Sequence, residues 1–373
     1  MNPRIQRAKQ IMQMENHASQ IVGENKFKVR SQPDPSKYYI VSRIGNGLIC
    51  ECPDHQIRKS YCKHIKVILE YCKNNTFAHD GFRIMERSQL NLCKFCDSGN
   101  IIKKGLPKNK SGNLQIYKCN DCKRKFTANF GFEKMRYRDV IITRALTMYY
   151  RGMSVRDIAD CLEQEEIEVS YRTIYNWICE YSSMASTYLN SIVPRVGDWF
   201  RADEIWVKVA GNQNYLFASM DDDTRYWLAS DMADNKFQHN AGNLLQLTKL
   251  QAGKSPRNFI TDGLPTYMKS SKKVFGKGTN NVRHIHIAAK RDRDNNNKME
   301  RLNGEIRDRE KVFRGLKKMD TPIIEGMKAY YNFTKKHPAL NGKTPAEAAM
   351  ITVEGKNKWK TIIQNASLDK NST

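Results

Sequence analysis

The run Trp199-Phe-Arg-Ala-Asp-Glu-Ile-Trp-Val-Lys-Val209 decides the reading of this chain. It is strand-like, and it carries the carboxylate of Asp203. A second apolar run, Asn258-Phe-Ile-Thr-Asp-Gly263, closes on Asp262. Glu300 lies in Asn295-Asn-Asn-Lys-Met-Glu-Arg-Leu-Asn-Gly304, which opens a strongly basic helix. Carboxylates brought together repel one another and need a cation to stay ionised. Metal ions held by such a cluster can activate a water or a hydroxyl and stabilise the leaving oxygen in phosphodiester chemistry.

Working outward, strand-like runs occur at 199–209, 214–220 and 225–230, a helix at 238–251, and a strand at 258–261. A short helix at 267–273, a strand at 283–287 and a long helix from 297 to about 318 follow. That order predicts a mixed sheet flanked by helices, the order of the ribonuclease-H-like fold. Side chains alternate along a strand, so Glu204 is expected to point away from Asp203. On the long helix, Glu305 and Glu310 lie about 140° and about 80° off the Glu300 face. Gly304 and Arg307 share that face, and Arg307 can meet a phosphate there. Asp221-Asp-Asp223 falls between two strand-like runs and is expected to be a solvated turn. Asp292 and Asp294 sit among Arg291 and Arg293 and read as surface pairs. His284 and His286 alternate with Ile on a strand and read as structural.

Lys plus Arg number 63 against 39 Asp plus Glu, a formal charge of +24 that favours a polyanionic partner over a merely soluble basic surface. Eleven Lys or Arg fall between Lys290 and Lys318, among them Lys311 and Arg314, and read as a nucleic-acid track beside the carboxylates. No run approaches about 18–20 uninterrupted apolar residues, so no membrane span is expected. The N-terminus lacks the apolar core of a secretory signal. In a reducing compartment the ten cysteines then favour metal over disulfides.

Two cysteine modules precede the carboxylates. Cys50-Glu-Cys52 and Cys62-Lys-His64 form two close ligand pairs that suit tetrahedral zinc better than a redox pair or buried thiols. His55 is a spare imidazole in the loop, and Cys72 reads as an apolar filler on the following helix, Lys63 to Tyr71. Tyr38-Tyr-Ile-Val-Ser-Arg-Ile44 reads as a strand turning at Asn46-Gly47. The second module, Cys93-Lys-Phe-Cys96 and Cys119-Asn-Asp-Cys122, has the spacing of a four-cysteine zinc ribbon. Asp97 and Lys123 stand where knuckles often carry Gly. Lys123-Arg124-Lys125 follows the last cysteine, offering cations to a nucleic acid. A segment this small has little core, so metal supplies its folding energy.

Residues 136–183 read as all-helical. Gly152 stops one helix. Ser154-Val-Arg-Asp157 is a capping-box pattern for the next, and Ser170 caps a third. Helix, turn, helix in this pattern is the DNA-binding supersecondary unit, rather than a plain helical linker. Its last helix would present Tyr171, Arg172, Tyr175 and Asn176 to the major groove, with Ile174, Trp177 and Ile178 in the core. Cys161 and Cys179 read as small buried apolar residues.

The stretches Arg201-Ala-Asp-Glu-Ile-Trp-Val-Lys208, Ile260-Thr-Asp-Gly263, Asn296-Asn-Lys-Met-Glu300 and Tyr331 through Ala349 resemble DDE transposases of the retroviral-integrase superfamily, particularly the insertion-sequence-six type. Thirty-seven residues separate Asp262 from Glu300, a spacing typical of that family. The Cys50–His64 module resembles the SWIM zinc finger, with its ββα arrangement. The resemblance implies that Asp203, Asp262 and Glu300 are the catalytic residues and hold two Mg²⁺ or Mn²⁺ ions, with one structural Zn²⁺ in each cysteine module. It implies cleavage at element ends, strand transfer into target DNA, and a homo-oligomer on double-stranded DNA. It also implies a cytoplasmic, nucleoid-associated protein of a prokaryote. An inactive transposase-derived DNA-binding protein and a nuclease that cuts without joining are the competing readings. The SWIM-like finger is left to bind DNA or protein.

The expected organisation is a multidomain α+β chain. It has a basic leader at 1–30, the SWIM-like finger at 31–80, the zinc ribbon at 90–130 and the helix-turn-helix at 135–185. The α/β ribonuclease-H-like catalytic domain follows at 195–350, and then a polar tail at 351–373. If the cysteines hold metal, Cys119→Ser should lower bound zinc from about two equivalents per chain to about one by elemental analysis. Zinc content equal to the parent's would remove the ribbon assignment.

Overall fold

A computed structural model describes residues 19–370 with breaks, chiefly at 68–80, 87–92, 277–281 and 287–295, and at scattered shorter positions. The chain opens with four antiparallel strands: β1 (Ser19–Gly23), β2 (Lys26–Arg30), β3 (Tyr38–Ile44) and β4 (Gly47–Cys50). Part of the expected leader is therefore sheet. Val29 is fully buried and pairs with Tyr39, so the basic residues of β2 ride on a strand with an apolar inner face. A short helix, α1 (Pro53–Arg58), follows, and then β5 (Phe82–Ile84). Lys63–Ile65 and Val67 are helical; the rest of the helix expected there, with Cys72, lies outside the described residues.

The second module is built on β6 (Ile101–Gly105), the two-residue hairpin β7 (Lys108–Asn109) and β8 (Gly112–Asn113), β9 (Ile116–Cys119) and β10 (Lys125–Thr127). Its sheet runs β10-β9-β6. Among the described residues its core is Cys93, Cys119, Phe126 and Phe130, with a few partly buried neighbours.

Three helices follow: α2 (Asp139–Arg151), α3 (Val155–Glu163) and α4 (Tyr171–Leu189). Ser154 and Asp157 form the full capping box of α3, and Ser170 Oγ accepts from Thr173 N at the start of α4. Each cap satisfies amide groups that the first turn leaves without partners. The last helix runs well past Tyr181, because Ala185, Tyr188 and Leu189 continue its buried face.

The large sheet comprises β11 (Trp199–Val209), β12 (Asn212–Asp221) and β13 (Trp227–Ala233), then α5 (Gln238–Ala252), β14 (Asn258–Thr261), α6 (Pro265–Val274) and β15 (Arg283–His286). The spatial order is β13-β12-β11-β14-β15. The first three strands form an antiparallel meander, while β14 and β15 add in parallel beside β11. Ala210 and Gly211, both at positive φ (50° and 86°), make the tight turn between β11 and β12, the geometry that suits the twist of a hairpin. This is the ribonuclease-H-like arrangement. It continues with α7 (Asn297–Phe313), whose successor Leu316 bridges to Val209, and α8 (Pro322–Phe333). The long helix ends before Lys318, because the chain returns at Leu316 to hydrogen-bond with Lys208 and Ala210.

The end of the chain departs from expectation. After α9 (Pro345–Ala348), β16 (Ile351–Val353) pairs in parallel with β5, and α10 (Lys358–Lys370) buries Trp359, Ile362, Ile363 and Ala366. The expected polar tail is a core element. Its polar residues are buried too: Asn365 donates to Met85 O and Thr361 O, and Thr361 donates to Glu354 O. A helix that satisfies its polar groups internally looks hydrophilic by composition while sitting inside.

The helix-turn-helix region and the sheet share one apolar cluster that includes Leu146, Trp177, Phe200, Trp227, Met327 and Trp359. A Cβ at Gly326 would fall 2.0 Å from Tyr150 Oη and 2.2 Å from Ser182 Oγ, so α8 approaches α2 and α4 as only glycine allows. Residues 135–185 are thus continuous with the sheet that follows. Among the described residues no helix is long and apolar enough to cross a membrane. Trp359→Ala should lower stability by about 3–5 kcal/mol, read as a fall in the denaturation midpoint. A parental midpoint would show that α10 is a tail after all.

Candidate metal centre and nucleic-acid interface

Pairing of β11 with β14 stops at Arg201 and Ile260, and β14 ends at Thr261. Beyond that point β11 continues alone on this side, and an opening forms at the C-terminal end of β14. In open α/β sheets this is where ligands bind. Asp203 lines the opening from β11, and Asp262 follows β14 into it.

Each of Asp203, Glu204 and Asp262 offers a carboxylate oxygen here, all within 4.8 Å of one another. Alternation along β11 predicts that Glu204 faces away. Its Cβ does leave β11 on the opposite face, but β11 is unpaired on this side beyond Arg201, so its carboxylate reaches round the open edge to the same opening. Glu300, expected as the third member, is exposed in the first turn of α7 and lies outside this set. It is one turn before Asn303, whose Nδ2 donates to Asp203 Oδ2 at 2.7 Å. Residues three apart share a helix face, so the Glu300 face of α7 is the one turned to β11.

The electrostatics are those of a crowded acidic pocket. Burial first, then the charges of Asp262 and Glu204, push the Asp203 carboxyl up to about 7, against the pull of the Glu204 N–H and Asn303. Burial likewise raises Glu204, opposed by Lys236, whose Nζ lies 2.8 Å from Glu204 Oε1. Tyr267, fully buried beside them, is held well above the usual phenol range, chiefly by burial. Two oxygens around the pocket, Glu204 Oε2 and Asn303 Oδ1, are buried without a hydrogen-bond partner. A carboxylate-rich, all-oxygen donor set with partnerless oxygens fits a hard divalent cation. Sequence reasoning missed Glu204, Lys236, Asn303 and Tyr267. Only Asn303 had a signal, its position one turn from Glu300.

Asp221 and Asp222 form no solvated turn. Asp221 is fully buried and accepts from Gly197 N, Thr224 N and Thr224 Oγ1. Asp222 pairs with Arg201 and Lys298. These contacts tie β11, the β12–β13 turn and the start of α7 together beneath the pocket. His284 is structural, sharing a 2.9 Å hydrogen bond with Thr261 and stacking on Phe259. The side chain of His286, with Asp292, Asp294 and Arg314, lies outside the described residues.

The two cysteine modules present compact ligand sets. Cys50, Cys52, Cys62 and His64 are all buried with ligand atoms within 4.8 Å of one another, and so are the ligand atoms of Cys93, Cys96, Cys119 and Cys122. In the first set His64 Nδ1 lies 3.8 Å from Cys50 Sγ and 3.9 Å from Cys62 Sγ. In the second, the Cys93–Cys122 and Cys96–Cys119 sulfurs are 3.6 Å apart. These separations suit four ligands arranged about one tetrahedral ion. Cys161 and Cys179 are only half-buried, on helices, away from either set. The side chain of His55 lies outside the described residues.

Of the cationic and groove-facing residues, Lys123, Arg124 and Lys125 are exposed, and Arg124 sits over Phe95 at 5.0 Å. Tyr171, Arg172, Tyr175 and Asn176 line a cleft of about 570 Å³ between α4 and the segment after α7, together with Arg156 and Lys317. Lys317 stands 5.6 Å over the Tyr175 ring, and Arg309 of α7 donates to Tyr149 O at 2.9 Å. The first turn of α4 is thus set beside the helix that carries Glu300. Arg307 and Lys311 are exposed on α7, and Lys311 pairs with Asp308.

Residues 197–337, which carry the sheet, Asp203 and Asp262, match a family model described as the DDE domain. Among curated proteins, the transposase for insertion sequence-like element IS431mec of Staphylococcus aureus is 28% identical over 148 residues, covering 39% of this chain and 64% of that protein. The transposase for insertion sequence element IS257 in transposon Tn4003, also of Staphylococcus aureus, matches at 28% over 148 residues with the same coverage. The chain thus spans somewhat under two thirds of the length of the curated relatives it matches. Among solved structures, the HTLV-2 integrase catalytic core domain in complex with magnesium is 14% identical at a TM-score of 0.30, covering 42% of this chain and 98% of that one. The simian T-cell lymphotropic virus intasome in complex with PP2A regulatory subunit B56 gamma is 13% identical at a TM-score of 0.34, covering 55% and 73%.

The raised Asp203 carboxyl has a consequence for protein without Mg²⁺ or Mn²⁺. Its pKa in the folded state lies above the unfolded value of 3.8, so its stability contribution is full below about pH 4 and is lost as pH rises through about 7. Asp203→Asn should therefore raise the thermal midpoint of the zinc-loaded chain, with no Mg²⁺ or Mn²⁺ added, by a few degrees at pH 8, with little gain at pH 4. An equal effect at both values would contradict the burial of an ionising group.

Proposed function

We propose that this chain is an insertion-sequence transposase that cuts DNA at element ends and joins the freed 3′-hydroxyl to target DNA. The observation that carries the reading is the meeting of Asp203 and Asp262 at the open end of β14, inside a segment that matches the DDE domain. Asp203, Asp262 and Glu300 are the proposed catalytic carboxylates, and two Mg²⁺ or Mn²⁺ ions per site are the proposed cofactors. Such ions supply charge neutralisation and activation of a water or a hydroxyl.

The chain's own residues do the rest. Asn303 fixes one oxygen of Asp203, and Lys236 holds one oxygen of Glu204. Glu300, exposed in the first turn of α7, would supply the third carboxylate from that helix. Arg307 and Lys311 on the same helix would meet the phosphates flanking the reacting bond, and Arg314, outside the described residues, is assigned to the same role. Tyr171, Arg172, Tyr175 and Asn176 would read the element end, and Lys123, Arg124 and Lys125 would hold its backbone. One Zn²⁺ in each cysteine module is structural, and the SWIM-like finger binds DNA or protein. The protein acts as a homo-oligomer on double-stranded DNA, in the cytoplasm and nucleoid of a prokaryote. The six-part division of the chain is kept with two changes: strands begin by Ser19, and residues 351–370 belong with the helical core.

The test is purified protein with Mg²⁺ and labelled element-end DNA, beside the Asp203→Asn variant. Joined products that vanish in the variant are expected. Nicks without joining would indicate a nuclease, and binding without either product would indicate a DNA-binding derivative.

A further inference from the structure

Glu204 has no role in the triad, yet its surroundings are those of a ligand. Its side chain is 2% exposed. One oxygen, Oε1, is held by Lys236 at 2.8 Å, and the other, Oε2, is buried without a hydrogen bond, as is the neighbouring Tyr267 hydroxyl. A buried carboxylate oxygen without a donor is costly and calls for a cation. Lys236 serves only one side. Three carboxylates, once ionised, against this one ammonium carry two excess negative charges at the opening, the balance a divalent ion completes.

Geometry supports the same end. Where β14 stops, a carboxylate on the far face of β11 shares the opening with Asp203 and Asp262, and all three present oxygens within ligand-sharing distance, 4.8 Å. We infer that Glu204 is itself a ligand of the divalent ion at this edge, in addition to the Asp203, Asp262 and Glu300 set. Lys236 occupies only Oε1 and competes with the metal for the carboxylate's charge, leaving Oε2 for the ion. The inference rests on the reading that this edge holds a divalent ion. With oxygen donors only, the ion is of the Mg²⁺ or Mn²⁺ class.

The test is Mn²⁺ binding to the full-length, zinc-loaded chain without DNA, by calorimetry and by the electron paramagnetic resonance signal of free Mn²⁺. Glu204→Gln keeps the shape and the contact with Lys236 but removes the charge. It should weaken Mn²⁺ binding by about tenfold or more and shrink the rise in thermal midpoint that Mn²⁺ gives the parent. Lys236→Met removes the competing cation and should bind Mn²⁺ at least as tightly as the parent. Affinity within twofold of the parent in Glu204→Gln, with Asp203→Asn defective, overturns the inference while sparing the proposed function. Weaker Mn²⁺ binding by Lys236→Met overturns it as well, which keeps the test valid if Glu204→Gln does not fold. Parental binding by Asp203→Asn means no divalent centre exists at this edge, and the functional reading falls with it. A purely structural Glu204 would alter the metal-free midpoint alone.

Discussion

Like charges held close in a poorly solvated opening are the constraint around which this chain is arranged. Asp203 is 8% exposed and Glu204 nearly closed off, while Asp262 stands at the open side. Each ionisation makes the next harder, which is why burial and neighbouring charge together push Asp203 toward neutral pH. Such an arrangement persists only if the rest of the fold prevents the carboxylates from separating. The long β11–β12 pairing fixes one side, Asn303 of α7 the second, and Lys236 at the head of α5 the third.

The helices that read as a separate DNA-binding unit take part in the same restraint. They share an apolar cluster with the sheet, and Gly326 lets α8 press against Tyr150 and Ser182. Arg309 ties α7 to the end of α2. A DNA end gripped at the first turn of α4 would therefore be held at a fixed offset from the carboxylates. Positioning is what the proposed reaction would most need from the protein, since a bound metal would carry the charge.

The cysteine modules have too little apolar core to hold their shape alone, and the described cluster of the second is four residues with few neighbours. It is not left to float. Leu368 of α10 packs against that cluster, and β5, which precedes the module, is paired with β16. The C-terminal segment thus packs both on the strand that precedes the ribbon and on the ribbon's own cluster, and the C-terminal helix belongs to the core for that reason.

The sequence by itself determined the element order of the large sheet, because its strands and helices differ clearly in hydrophobic period and are punctuated by turns. It also determined the two cysteine sets and the caps at Ser154 and Ser170, since ligand pairs and caps are local chemistry. Asp203 and Asp262 were legible for the same reason: each sits at a recognisable place in a strand pattern. Three things were decided only in three dimensions. Residues 351–370 went inside because their polar groups find partners in distant segments, which no local hydropathy can register. Asp221 and Asp222 left the solvent because Gly197, Thr224, Arg201 and Lys298 converge on them. Glu204 entered the pocket because a neighbouring strand ends one residue before Asp262, and the length of a partner strand is a property of the sheet rather than of β11.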